Sequence, residues 1–157
     1  MVTGSTTGIG KAIALRCVAE GASVIIHGLE RDLGEQVLEE IGSEKAALHI
    51  EDLCAVGAPQ RLVDVAVNRF GRLDALVNNA AMVVSGNIHT TDINFFRHVL
   101  EVNTLIPFIL IKTALPHLQR SRGCVLNIGS VNAYCGEPNL FPYSVSKGAL
   151  MTMTRNL

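Results

Sequence analysis

The stretch at residues 3–10 reads Thr-Gly-Ser-Thr-Thr-Gly-Ile-Gly, and it stands between a short apolar segment and a run with helical spacing. Glycines at the start of a helix let the backbone approach a ligand closely, and the free N–H groups there favour an anion. A glycine-rich turn between a strand and a helix is therefore typical of a pyrophosphate site. The alternative is a turn that only connects the two elements, because such motifs also arise by chance.

Short β-branched segments alternate with longer segments of helical periodicity along the rest of the chain. This alternation predicts βαβ units, with a parallel sheet that helices cover on both faces. We predict one domain over residues 1–157. Five strands are expected, at Met1–Thr3, Ser23–His27, Ala47–Ile50, Ala75–Asn78 and Cys124–Ile128. Helices fill the gaps, among them Ile9–Glu20, Ala58–Phe70, Asp92–Leu118 with interruptions at its two prolines, and a last one from Tyr143 to the chain end.

Charge and composition argue against several classes of function. Thirteen Lys and Arg nearly balance fourteen Asp and Glu, so no net field attracts nucleic acid or an anionic membrane. The uninterrupted apolar runs are far shorter than the roughly 20 residues that span a bilayer. The four cysteines form neither a CxxC pair nor a zinc pattern, and the five histidines show no ligand spacing. We therefore expect free thiols, no metal site and a cytoplasmic protein.

Tyr143 and Lys147 lie four residues apart on the last predicted helix, so their side chains project from one face. A free phenol titrates near about pH 10, and an adjacent ammonium favours the phenolate, which brings proton exchange towards neutral pH. Ser130 follows the fifth strand, at the end where open α/β sheets bind ligands. Its hydroxyl can polarise a carbonyl oxygen. An isolated Tyr-x-x-x-Lys pair is more often a solvated helix face. The catalytic interpretation therefore depends on the combination of this pair with Ser130 and the glycine turn.

Asn103 lies inside the long predicted helix, where a short amide side chain is mildly unfavourable. Pro107, four residues later, cannot donate the hydrogen bond that the Asn103 carbonyl would normally accept. We predict that this carbonyl is free to hold a water molecule aimed at Lys147. A plain surface asparagine is the alternative.

Together these motifs resemble those of the short-chain dehydrogenase/reductases over essentially the whole chain. The segment Thr3–Gly10 is similar to the cofactor turn of that family, and Leu76–Ala81 resembles its Asn-Asn-Ala-Gly element with the last glycine replaced. Pro142–Leu150 is especially close to the segment that carries its catalytic pair. The resemblance implies a three-layer, doubly wound Rossmann-type sheet with strand order 3-2-1-4-5. It also implies hydride transfer between NAD(P)(H) and an alcohol/carbonyl pair, by a homotetramer or dimer when the protein is full length.

The resemblance also implies roles for individual residues. Tyr143 is the implied acid/base, and Lys147 binds the nicotinamide ribose and lowers the tyrosine pKa. Ser130 orients the substrate carbonyl, and Asn103 completes the proton relay. The acidic residue beside the adenine ring corresponds to Asp52. The implied cofactor-binding residues are Gly4, Thr6, Gly8, Ile9, Gly10, Arg31, Asp52, Leu53, Asn79, Ala80, Ala81, Tyr143 and Lys147.

The preference between NAD and NADP is weakly marked. Members that prefer NAD often carry Asp at the end of the second strand, and members that prefer NADP carry Arg beside it or a basic residue in the glycine turn. Gly28, Leu29 and Thr7 occupy those positions here. Arg31 can still reach a 2′-phosphate, and we lean slightly to NAD.

The ends of the chain also differ from the pattern of the family. Only Met1 and Val2 precede Thr3, and the chain stops within the helix that holds Lys147. Members of the family continue with two more strands and a loop that closes over substrate. We therefore expect an incomplete NAD(P)-binding Rossmann domain, from a fragment or a truncated reading frame. The alternative function is a nucleotide-binding or interaction module without catalysis of its own.

Overall fold

The computed structural model describes residues 1–157 and shows one parallel sheet. Its strands are β1 (Val24–Gly28), β2 (Ala46–Ile50), β3 (Ala75–Asn78) and β4 (Cys124–Asn127). β1 pairs with β2, and β3 pairs with β4. Val2 joins the two pairs, because it bridges Ile26 on one side and Val77 on the other. When residues 1–3 are counted as the first of five strands, the sheet has the predicted 3-2-1-4-5 order. In the labels used here, this order is β2, β1, residues 1–3, β3 and β4.

The predicted first strand, Met1–Thr3, is reduced to this bridge at Val2. It is nevertheless bonded on both sides, since Val2 N–H donates to the Ile25 carbonyl and Thr3 N–H donates to the Val77 carbonyl. The remaining predicted strands agree with the structure to within one residue at each end.

Six α-helices accompany the sheet, and a 3₁₀ turn (Val131–Ala133) follows β4. The predicted helix bounds at 58–70 are correct, and those near the first and last helices shift by one or two residues. The helices are α1 (Gly8–Ala19), α2 (Arg31–Ile41), α3 (Ala58–Phe70), α4 (Ile93–Leu100), α5 (Ile106–Ser121) and α6 (Phe141–Arg155).

The long helix predicted over 92–118 is divided in the structure. A π-helical turn, Glu101–Leu105, separates α4 from α5, and the Ile106 N–H donates to the Glu101 carbonyl. Pro107 falls in the first turn of α5, directly after the π-turn, and because it lacks an N–H it cannot supply a helical donor to the Asn103 carbonyl. By length and composition alone, the combined segment Ile93–Ser121 is apolar enough to cross a membrane, although buried helices of a soluble core pass the same test.

The apolar core lies on both faces of the sheet. In β1, Ile25 packs among the buried residues of α3 and α5, whereas Val24 and Ile26 pack with Ala14 of α1 and Val37 of α2. Successive side chains of a strand point to opposite faces, so a strand covered on both sides is apolar throughout. The three-layer, doubly wound architecture is thereby confirmed.

Candidate active site

The glycine turn packs closely against the segment that follows β3. A Cβ atom on Gly10 would lie 2.1 Å from the Gly4 carbonyl oxygen and 2.4 Å from Asn79 Nδ2. Gly4 and Gly8 adopt left-handed φ angles of 61° and 55°, a region that favours glycine. The space beside Gly8 is open. Gly10 therefore serves the packing of the turn on itself, and Gly8 leaves room for a ligand.

Hydrogen bonds from Thr3 and Asn79 hold this turn in place. The Thr3 hydroxyl accepts the backbone N–H groups of Asn79 and Ala80, each at 3.0 Å. The Asn79 amide donates to the carbonyls of Thr3 and Gly4, each at 2.9 Å. The side chain of Asn79, predicted to bind cofactor, is thus occupied in fixing the turn. Ala80 backs Gly4 closely, and Ala81 is exposed.

The beginning of α1 presents unpartnered N–H groups. The N-cap residue, Thr7, makes no side-chain hydrogen bond, and the first turn contains no acidic residue. The first intrahelical bond runs from the Lys11 N–H to the Thr7 carbonyl, so the N–H groups of residues 8–10 have no helical partner. Such a terminus is suited to a pyrophosphate.

His27, at the end of β1, connects the glycine turn to β2. Its Nδ1 accepts the Gly4 N–H at 3.3 Å, and its Nε2 lies 2.9 Å from the Glu51 carbonyl oxygen. These partners require a neutral ring with the proton on Nε2. Burial lowers the pKa of His27 to about 4, which keeps the ring neutral. These contacts give His27 a structural role between the glycine turn and the end of β2.

The predicted determinants of cofactor preference lie beyond β1. A Cβ atom on Gly28 would lie 2.4 Å from Thr6 Cγ2, so the buried Thr6 side chain occupies the space that a larger residue at 28 would need. The Thr6 hydroxyl donates to Glu30 Oε2 at 3.4 Å. Arg31 instead pairs with Glu35 along α2, at 3.5 Å. A carboxylate therefore lies at the turn, and the predicted contact of Arg31 with a 2′-phosphate stays a prediction.

Asp52 and Leu53 follow β2. The exposed Asp52 carboxylate accepts the backbone N–H of Cys54 at 2.9 Å. The Leu53 side chain is buried in the core beneath α3 and α5, so only its backbone can meet a ligand. Both residues stand at the carboxyl edge of the sheet, beyond the same strand ends as the glycine turn.

Tyr143 and Lys147 share one face of α6, as predicted. Lys147 Nζ lies 5.8 Å from the centroid of the Tyr143 ring. The lysine is only 3% exposed, and its ammonium donates to the Ile128 carbonyl at 2.7 Å. Burial lowers the pKa of Lys147. An ammonium carries three donors, so two remain for the hydroxyl groups of a ligand.

Ser130 lies two residues beyond that carbonyl. Its hydroxyl accepts the Asn132 N–H at 3.2 Å and caps the 3₁₀ turn after β4. A hydroxyl that accepts one bond still has its own proton to donate. The end of β4 therefore brings two groups to the same edge of the sheet: the Ile128 carbonyl, which accepts from Lys147, and the Ser130 hydroxyl, which is predicted to orient a substrate carbonyl.

Asn103 is buried in the π-turn, and it is not a surface asparagine. Its amide donates to the Met82 carbonyl and to the Ser146 hydroxyl, each at 2.9 Å, and its Oδ1 accepts the Met82 N–H at 2.7 Å. Ser146 in turn donates to the Tyr143 carbonyl at 2.7 Å. Asn103 thus ties the segment after β3 to the helix that carries Tyr143. The predicted water-holding role of its own carbonyl stays a prediction.

A family model described as short chain dehydrogenase matches residues 1–157. This chain belongs to the short-chain dehydrogenase family. Among curated relatives it is 37% identical to an uncharacterized oxidoreductase of Thermotoga maritima, over all of this chain and 63% of the relative. It is 32% identical to meso-2,3-butanediol dehydrogenase of Serratia marcescens, over 99% of this chain and 62% of the relative. The chain thus spans less than two thirds of either relative.

Solved structures agree with the fold. A short-chain dehydrogenase from Streptomyces avermitilis superposes with a TM-score of 0.92 at 28% identity, over 99% of this chain and 57% of that one. The fold class predicted from the alternating segments, and implied by the family resemblance, is therefore confirmed.

Three residues of the candidate site were not predicted from the sequence. The Thr3 hydroxyl accepts backbone N–H groups of the segment after β3, the Ser146 hydroxyl donates to the Tyr143 carbonyl of the tyrosine helix, and Glu30 accepts the Thr6 hydroxyl. Of these three residues, only Ser146 could have been identified from the sequence, because a polar side chain on the inward face of α6 needs a buried hydrogen-bond partner.

Proposed function

We propose that this protein is an oxidoreductase that transfers a hydride between NAD(P)(H) and an alcohol/carbonyl substrate. The observation that carries the proposal is the buried Lys147 ammonium beside the Tyr143 ring, at the strand ends that also hold Ser130 and the glycine turn. When bound, the nicotinamide cofactor supplies or accepts the hydride. The match to the short-chain dehydrogenase family supports this function.

In the proposed reduction, Tyr143 gives its phenolic proton to the carbonyl oxygen of the substrate. The ammonium of Lys147 stabilises the resulting phenolate by its charge, and its free donors hold ribose hydroxyls. The Ser130 hydroxyl donates to the same carbonyl oxygen and orients it. Asn103 acts as a positioning residue, because its three side-chain hydrogen bonds fix the tyrosine helix against the segment after β3.

The test removes one phenolic hydroxyl. In steady-state assays of NAD(P)(H)-dependent turnover with a panel of small alcohols and ketones, Tyr143→Phe should lower kcat by about 10²-fold or more and leave the cofactor Kd nearly unchanged. The matched control is Tyr134→Phe, at the other tyrosine of the chain, which is 71% exposed. Substantial turnover by Tyr143→Phe would contradict the acid/base role.

For the cofactor we propose NAD. Glu30 lies at the glycine turn, where its charge repels a 2′-phosphate, and Arg31 is paired with Glu35. Arg31→Ala should therefore change the Michaelis constants for NADH and NADPH alike, by less than about twofold. A large selective rise in the Michaelis constant for NADPH would show that Arg31 binds a 2′-phosphate and would overturn this preference.

A second candidate is cofactor binding without turnover. One observation favours it: β4 forms an edge of the sheet, and its Leu126 side chain is 50% exposed. Assays of this chain beside a version extended at both ends distinguish the candidates. Turnover by the 157-residue chain would exclude the second.

We also propose a cytoplasmic protein that forms homo-oligomers and binds no nucleic acid. Exposed apolar side chains on α5, notably Phe108 and Ile109, support association between copies. The near balance of charges supports the absence of nucleic-acid binding, and the four free cysteines support the cytoplasmic location.

A further inference from the structure

The loop after β2 meets α4 at a cluster of three side chains that the proposed reaction does not use. Cys54 Sγ, one ring nitrogen of His98 and one carboxylate oxygen of Glu101 all lie within 4.8 Å of one another. His98 and Glu101 stand one turn apart on the same helical segment, with Nδ1 and Oε2 separated by 3.8 Å. Cys54 approaches them from a segment distant in sequence.

We propose that Cys54, His98 and Glu101 form a binding site for a thiophilic divalent cation such as Zn²⁺. Thiolate, imidazole and carboxylate are the three ligand types that Zn²⁺ takes from proteins. A soft sulfur ligand disfavours Mg²⁺ and Ca²⁺, which prefer oxygen ligands alone. With three protein ligands, the fourth position of the tetrahedron is left to water.

The separations are compatible with closure around one ion. Tetrahedral Zn²⁺ places a nitrogen and an oxygen ligand about 3.3 Å apart, and a sulfur and a nitrogen or oxygen ligand about 3.6 Å apart. The His98–Glu101 pair, at 3.8 Å, must contract by about 0.5 Å, and the separations from Cys54 Sγ, which are at most 4.8 Å, must contract by at most about 1.2 Å. The side chains of His98 and Glu101 are about half exposed, at 49% and 47%, so rotation of their outer torsions can supply that movement without disturbing the core.

The cysteine is held more firmly than its partners. Its backbone N–H is fixed by the Asp52 carboxylate, and its side chain packs against the core between α3 and α5. Burial raises the pKa of the Cys54 thiol to about 11, so the ion must compete with a proton for the sulfur. On binding, the thiol loses that proton to solvent, an S–Zn bond forms, and no electron transfer is needed.

Co²⁺ serves as a spectroscopic substitute for Zn²⁺ in the test. Titration of the reduced protein should produce a near-ultraviolet thiolate-to-cobalt charge-transfer band that saturates at one equivalent and disappears when Zn²⁺ is added. Cys54→Ser should abolish the band, and His98→Ala and Glu101→Gln should each weaken Co²⁺ affinity about tenfold or more. The matched control is Cys124→Ser, which removes an exposed thiol elsewhere and should retain the band.

Two results would overturn the proposal. One is the absence of a thiolate band in the wild-type protein at saturating Co²⁺. The other is a band that survives Cys54→Ser, which would assign the metal to another cysteine. Because the readout is the metal's own spectrum, neither result depends on the oxidoreductase activity. Circular dichroism of the Cys54→Ser variant, expected to match that of the wild type, distinguishes loss of a ligand from loss of the fold.

Discussion

Replacement of Gly10 by alanine tests the packing of the glycine turn most directly. The new Cβ atom would lie 2.1 Å from the Gly4 carbonyl oxygen and 2.4 Å from Asn79 Nδ2. Backbone and amide must therefore separate by about 1 Å, since ordinary contacts between carbon and oxygen exceed about 3 Å. The Asn79 amide makes two hydrogen bonds to the turn at 2.9 Å, and that movement stretches both.

The magnitude follows from these contacts. Overpacking costs about 1–3 kcal/mol, and each weakened hydrogen bond costs about 0.5–1.5 kcal/mol. The higher helix propensity of alanine returns at most about 1 kcal/mol. With two hydrogen bonds weakened, these terms together give an expected decrease of about 1–5 kcal/mol in the free energy of unfolding for Gly10→Ala.

The assay is urea-induced unfolding followed by far-ultraviolet circular dichroism, with linear extrapolation to water. The matched control is Gly148→Ala, because Gly148 lies inside α6 and its added Cβ would meet no atom within 4 Å apart from its chain neighbours and the nearby backbone of its own helix. That substitution should raise stability by about 0.5–1 kcal/mol. A Gly10→Ala variant as stable as the wild type would refute the argument that this glycine is required by the turn's own packing.

Two further substitutions test single residues. Burial lowers the pKa of His27 from its ordinary value of 6.5 to about 4 in the folded protein. Between pH 6.5 and pH 4 the unfolded chain therefore binds more protons at this residue than the folded protein does. As the pH falls through this range, His27 should lower the free energy of unfolding by about 3 kcal/mol. His27→Asn should lack that component in urea titrations across the same pH range, and an identical pH profile would contradict it. Arg122 caps α5 with a left-handed φ of 56°. Arg122→Gly should therefore relieve about 1–2 kcal/mol of strain, offset by the greater entropy of the unfolded chain, and raise the unfolding free energy by about 0.5–1 kcal/mol. A loss in the same assay would show that the arginine side chain contributes more than the strain costs.

Local chemistry in the sequence predicted much of the fold. The turn Thr3–Gly10 indicated a strand followed by a helix, and the structure has Val2 in the sheet and α1 from Gly8. Pro107 indicated an interruption in the long helix, because proline lacks the N–H that a continuous helix requires. The π-turn itself was not predicted, since α-helical and π-helical residues do not differ in side-chain pattern over five positions.

The sequence by itself determined which local features exist: the glycine turn, the Tyr-Lys spacing, the apolar strands and the order in which they follow one another. These depend on backbone conformation and on periodicity, which neighbouring residues decide. Only the tertiary structure decided which distant groups meet: Asn103 with Met82 and Ser146, Lys147 with the Ile128 carbonyl, and Cys54 with His98 and Glu101. Such contacts join separate segments, so they follow from how helices pack on the sheet. For the glycine turn, this packing showed that Gly10 and the Asn79 side chain hold the turn itself, and the cofactor-binding role that the family resemblance implied for both residues stays a prediction.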